Sequence, residues 1–200
     1  MSSPAAVKYK LASTKARLLR KTATDIRLRP ISREQTQVYY HSALAAFVAG
    51  WDAYINDLVR NFFDVTSDPL NTKFFAVHTI ARGKAYQALE RFNTPNWDNT
   101  RNLLVGCTGY DPINDWVWTA RQLNSVAVRL RLNEILRVRH SFAHGFSIPA
   151  FTWTQSPTGK IRLTAKAIDE VDAFFEHLVA VTDLGMKRHI EVTYNLSITW

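Results

Sequence analysis

Between Arg33 and Asp64 the chain places Leu44, Phe47, Val48, Trp51, Ile55, Leu58 and Phe62 at intervals of three and four residues. Only a helix gathers such positions onto one face. The stripe runs for about five turns at 3.6 residues each, and an apolar face that long must be covered by other elements. Gly50 sits inside it; a helical glycine costs about 1 kcal/mol against alanine, so a second element is expected to pack closely there.

The rest of the sequence supplies covering helices. Ala6 to Arg20 carries Leu11, Leu18 and Leu19 as a candidate face, with Pro30 as its limit and Asp25 to Ile31 as a connector. Ser67-Asp68-Pro69 breaks the long helix. Thr72 to Phe92 reads as a further helix with Phe75, Val77, Ile80, Tyr86 and Leu89 as its apolar set, and Trp97 to Cys107 as a short one. Trp116 and Trp118, two apart, suit an extended turn or a short helix. Leu123 to Phe142 is the most regular helical run. Phe151 and Trp153, the turn QSPTGK, and Ile161 and Leu163 alternate as a short hairpin does. Thr164 then caps a last helix carrying Ile168, Val171, Phe174, Phe175, Leu178 and Leu184, and Glu191 to Trp200 is a strand-like or irregular tail. The expected fold is all-α: an antiparallel helical bundle with a small β-hairpin before the last helix.

Two hundred residues fit one domain with a sizeable core. No apolar run is long enough to span a membrane, and the N-terminus lacks the apolar core of a secretory signal. Its basic, serine-containing, acid-poor composition resembles an organellar transit peptide, but the element order reads better as a cytoplasmic protein. The one cysteine, Cys107, has no disulfide partner within the chain and suits a reducing, cytoplasmic setting. Of the net charge of +8, residues 1–30 hold +7, from eight Lys and Arg against Asp25. The chain therefore divides into a basic N-terminal extension, 1–30, and a single helical domain, 31–200. Such a segment attracts polyanions, or is simply a solvated helix or arm.

At the end of the regular run stands Arg139-His140-Ser141-Phe142-Ala143-His144, followed by Gly145. Guanidinium forks match phosphate oxygens, and imidazole both takes and gives a proton near neutrality. On RNA the 2′-hydroxyl is a built-in nucleophile, so a pairing of this kind requires no metal to act there. Leu132, Ile135 and Leu136 define an inward stripe whose continuation reaches Arg139, a charge where an apolar residue is expected, which requires a partner such as Asp52, a side chain that snorkels out to water, or a purpose. Arg139 and His144, five apart, leave an ideal helix roughly 140° from each other, whereas His140 and His144 share a face. Gly145 is placed to end the helix with a left-handed cap.

The string ILRVRHSFAHG resembles the R-x4-6-H motif that closes a helix in HEPN domains, with His140 at the motif's polar position. AAFVAGWDAYINDLV resembles the first core helix of those proteins, with Asp52 at its acid position, and the element order over roughly residues 35–190 resembles the RiboL-PSP-type branch. The resemblance implies an all-helical domain, a metal-independent endoribonuclease acting as a homodimer, and a role as a toxin or antiphage effector with an antitoxin or defence-system partner. It implies Arg139 and His144 as catalytic residues meeting across a two-fold axis, and a 2′,3′-cyclic phosphate product. His140 would orient the backbone, and Asp52 is a possible assisting acid or else a solvated carboxylate. HEPN toxins paired with a nucleotidyltransferase carry a tyrosine two residues after the motif histidine; Phe146 stands there and has no hydroxyl.

Between residues 121 and 144, Arg121, Arg129, Arg131, Arg137 and Arg139 oppose only Glu134, which suits a phosphate-tracking surface. Arg137, Arg121 and Ser141 are the candidates for holding substrate. No cofactor is expected: the glycines match no phosphate-cradling loop. Nor is a metal, because a zincin needs Glu directly after the first histidine and Ser141 occupies that place. His41, His78, His177 and His189 read as surface or core residues, and Trp116, Trp118 and Trp153 as core side chains or base-stacking platforms. A non-catalytic dimerisation or RNA-binding module is the competing function.

Overall fold

The computed structural model describes residues 1–28, 31–68 and 70–200. Its helices are α1 (Pro4–Thr22), α2 (Arg33–Val65), α3 (Thr72–Arg91), α4 (Trp97–Thr108), α5 (Ser125–Ala143) and α6 (Ala165–Tyr194). No β-strand occurs among the described residues, and no helix is long and apolar enough to cross a membrane. The breaks expected at Pro30 and Pro69 lie outside the described residues.

All five other helices pack against α2. Its expected stripe forms the core: Leu44, Phe47, Val48, Trp51, Ile55, Leu58 and Phe62 are all buried. Trp51 Nε1 donates to the Pro95 carbonyl at 3.1 Å, and Trp116, also core, donates to Thr182 Oγ1 at 2.9 Å. The helix opens on a capping box, with Ser32 Oγ accepting from Gln35 N at 3.0 Å and Gln35 Oε1 from Ser32 N at 2.8 Å. The close approach anticipated at Gly50 is made by α1, whose Tyr9 ring would lie 3.4 Å from a Cβ at that position.

The basic first segment is thus part of the packed structure. The face of α1 that meets α2 and α6 consists of Ala5, Ala6, Tyr9, Ser13 and Ala16, while Leu11 and Leu18 are exposed. The helix is drawn in close by small side chains, which a search for large apolar residues overlooks. Ion pairs fasten it: Arg17 to Asp172 at 2.6 Å and to Glu176, Arg20 to Asp169 at 2.5 Å, and Lys8 to Asp57 at 3.0 Å. At its start Ser3 N and Oγ both donate to Asp183 on α6.

The expected hairpin is replaced by a 3-10 turn, Thr152–Thr154, and one antiparallel bridge between Gln155 and Ile161. Strand alternation fails because the neighbours Trp153 and Thr154 are both buried. Trp153 Nε1 donates to Glu134 at 3.0 Å, while Thr154 Oγ1 accepts from Phe151 N at 2.8 Å and donates to the Pro149 carbonyl. Thr164 caps α6 as anticipated, accepting from Ala167 N at 3.1 Å. The tail differs in part: α6 continues to Tyr194 before the chain turns irregular and packs Leu196, Ile198 and Trp200 against the core.

Candidate active site

Helix α5 buries Val128, Leu132, Ile135, Val138 and Ser141. The inward stripe continues through Val138, so Arg139 stands one residue beyond it and is exposed, as are Arg137, His140 and His144. Leu136 lies at the border, half-buried. The guanidinium therefore remains hydrated, which removes the cost of burying it. Ser141 faces inward instead and donates its hydroxyl to the Val138 carbonyl at 2.8 Å.

The end of α5 is fixed by its backbone. Gly145, at φ +69°, lets Phe146 N reach the Ser141 carbonyl at 2.7 Å and Gly145 N the Phe142 carbonyl at 3.3 Å. Together these bonds make a Schellman motif, satisfying carbonyls the helix leaves open. The cap holds His144 beside His140, ring centroids 4.2 Å apart and tilted by 43°. The exposed Phe146 ring lies 6.0 Å from His144 and 6.3 Å from His140. Next to this cluster runs an open groove of about 520 Å³ lined by Arg137, His140, Phe146, Asn133 and Asn96. Asn133, Arg137 and His140 follow at intervals of four and three, so they share one face. That interval is the signal by which Asn133 is recognisable from sequence.

Arg139 lies in the field of Asp52 on α2. Burial pushes the Asp52 carboxyl above its ordinary range, opposed by the Arg139 charge and by the Asn56 amide, 3.2 Å away. No hydrogen bond or ion pair within 4 Å joins Arg139 to Asp52 or to His144 among the described residues. Arg139 thus lies on the Asp52 side of α5 and His144 on the His140 side, as their five-residue spacing requires.

His41 belongs to this end of the molecule as a core residue. Its ring lies flat on Phe142, centroids 4.3 Å apart and 5° from parallel, and its Nδ1 has no hydrogen-bond partner among the described residues. Burial lowers its pKa to about 4, so the ring is neutral at physiological pH. Arg121 lies apart. It precedes α5 and sits over Trp118 at 5.6 Å, while about 22 Å of helix separates the start of α5 from His140. Of the candidate residues, His140, His144 and Arg137 are brought together, Arg139 and Asp52 form a second group, and Ser141 and Arg121 join neither.

The sequence profile of RiboL-PSP-HEPN matches residues 14–184, most of the chain. The protein belongs to the RiboL-PSP-HEPN family. The match begins inside α1 and takes in all of α2 to α5, so the Arg139–His144 segment is read within the RiboL-PSP-HEPN domain. Comparison with curated proteins and with solved structures gave no match.

Proposed function

We propose that this RiboL-PSP-HEPN protein is a metal-independent endoribonuclease that works as a cytoplasmic homodimer. The observation carrying the reading is the exposed cationic helix end, where His140 and His144 are held together beside an open groove that Arg137, Asn133 and Asn96 help to line. His144 takes the proton of an RNA 2′-hydroxyl, whose oxygen attacks the adjacent phosphorus. The bond from phosphorus to the 5′-oxygen breaks, and that oxygen takes a proton from solvent water, leaving a 2′,3′-cyclic phosphate and a 5′-hydroxyl. Arg139 stabilises charge on the phosphoryl oxygens, and His140 and Arg137 hold the neighbouring backbone. Asp52 orients Arg139. Because Arg139 and His144 leave α5 in different directions, the pair is completed by a second copy related by a two-fold axis. A role as a toxin or antiphage effector, restrained by an antitoxin or defence-system partner, accords with the family.

Mixing two single variants tests the composite site. Arg139→Ala and His144→Ala are each inactive alone. Exchanged into mixed dimers, they rebuild one intact site in each heterodimer, returning about a quarter of wild-type activity. A mixture as inactive as its components overturns the dimeric site. The divergence of Arg139 and His144 within one chain also favours a second reading, a non-catalytic RNA-binding or dimerisation module. It predicts no cleavage by the wild type, and RNA retention that His144→Ala does not alter.

A further inference from the structure

On the opposite flank of α5 from the motif lies a half-enclosed cavity of about 180 Å³. Trp118, Trp153, Phe174 and Ile135 give it apolar walls, and Arg121, Arg131 and Glu170 stand at its rim. Arg131 points roughly 180° around α5 from His140, so the cavity shares nothing with the groove beside the motif.

Its walls are held in place before any ligand arrives. Trp118 is pinned by paired backbone bonds with Leu123 at 2.8 and 3.1 Å, and its ring is stacked on His177 at 4.8 Å and 8°. His177 is itself bonded to the Val117 carbonyl at 2.9 Å. The Trp153 ring is fixed by its bond to Glu134 and carries the Arg131 guanidinium 5.6 Å above it. Two of the rim charges, by contrast, have no ionic partner among the described residues. Among the described residues neither the Glu170 carboxylate nor the Arg121 guanidinium has a hydrogen-bond or ion-pair partner, and the latter lies over the Trp118 ring. Arg131 meets Glu134 at a loose 3.7 Å.

Preformed aromatic walls select a flat ring, and a cavity of roughly 150 Å³ suffices for a benzene ring. Two guanidiniums select an anion beside it, with a fork that suits phosphate. A carboxylate only accepts hydrogen bonds, so it selects a ring edge that donates. We propose that this cavity binds a guanine nucleotide, with the base against Trp118 and Trp153, its N1–H and N2–H donated to Glu170, and its phosphate held by Arg121 and Arg131. The open side lets sugar and phosphate project outward, so the nucleotide is either free or part of an RNA strand. The proposal does not depend on the cleavage reading.

Calorimetric titration of the full chain with GMP, AMP and guanosine tests it. Saturable binding is expected, with GMP preferred over AMP by about tenfold, or 1.4 kcal/mol. Glu170→Gln removes that preference, and Arg121→Ala weakens GMP about tenfold while leaving guanosine unchanged, because only the phosphate contact is lost. His144→Ala binds as the wild type does. A 2′-O-methyl oligonucleotide containing one guanosine separates the sources: competition with GMP assigns the site to RNA, and GMP binding without competition assigns it to the free nucleotide. No saturable GMP binding, equal affinity for AMP, or affinities untouched by both rim variants would overturn the proposal. A thermal melt of each variant confirms that it is folded.

Discussion

His140 and His144 stand one helical turn apart at the close of α5, their ring centroids 4.2 Å from each other. Both rings are exposed, and among the described residues neither makes a hydrogen bond to the core. Replacing either by alanine therefore leaves the melt within about 0.5 kcal/mol of wild type, the usual effect of a surface change. Cleavage responds differently: His144→Ala loses about 10²- to 10⁴-fold, the range a general acid or base supplies, and His140→Ala loses less. Parallel melts and cleavage rates check both, and unfolding by either variant would assign the pair a structural duty.

The basic residues fall into two classes that net charge does not distinguish. Arg17 and Arg20 are engaged with Asp172, Glu176 and Asp169 on α6, whereas Arg137 lines the groove with no acidic partner among the described residues. Arg137→Ala is expected to weaken single-stranded RNA binding and lower the log–log salt slope by about 0.7, one phosphate contact on a single strand. Arg17→Ala leaves that slope unchanged and costs stability instead, about 1 kcal/mol for a partly exposed pair. Binding isotherms across a salt series, beside urea melts, separate the two.

Stability should fall in mild acid because of His41. Its pKa drops from 6.5 to about 4 on folding, so the unfolded chain binds the extra proton between those values. The contribution is complete above pH 6.5 and disappears as pH falls towards 4; at 1.36 kcal/mol per unit it amounts to at most about 3 kcal/mol. His41→Phe keeps a flat ring against Phe142 and removes the proton. Its stability curve between pH 6.5 and 4 should be flatter than that of the wild type, and an unchanged slope would refute the assignment.

Two helical glycines should respond in opposite directions to alanine. At Gly185 a Cβ would collide with Tyr110 Oη and Asp115 Oδ2, which are bonded to each other at 2.7 Å, and Arg188 also binds Asp115. Gly185→Ala is expected to cost about 2 kcal/mol, as overpacking does. At Gly83 the same Cβ meets nothing within 4 Å, and Gly83→Ala should stabilise α3 by up to about 1 kcal/mol. Urea denaturation of the two variants decides both signs.

These elements were unequally legible in the sequence. The α2 stripe was readable because every one of its large apolar residues is covered by another helix. On α3 the same reasoning selected Leu89, which is buried, but also Phe75, Val77 and Ile80, which are exposed, and it passed over the buried His78 and Ala85. Spacing reports which residues can share a face, but not whether a neighbour covers it. On α5 the extrapolated stripe reached Arg139, although the neighbouring Val138 faces inward. The adjacency of His140 and His144 followed from a four-residue interval, and the cap at Gly145 from its residue type, since both are local. The engagement of Arg17 with α6 joins residues 155 and 159 positions apart in the chain, and no local pattern encodes it.

The proposed function has Arg139 and His144 cut RNA without a metal. Incubating the purified protein with single-stranded RNA in excess EDTA, and resolving the product ends by mass spectrometry, tests it most directly. The expected result is cleavage by the wild type to 2′,3′-cyclic phosphate ends, abolished by His144→Ala and by Arg139→Ala. Intact RNA with the wild type, or equal cleavage by the His144→Ala protein, would contradict it.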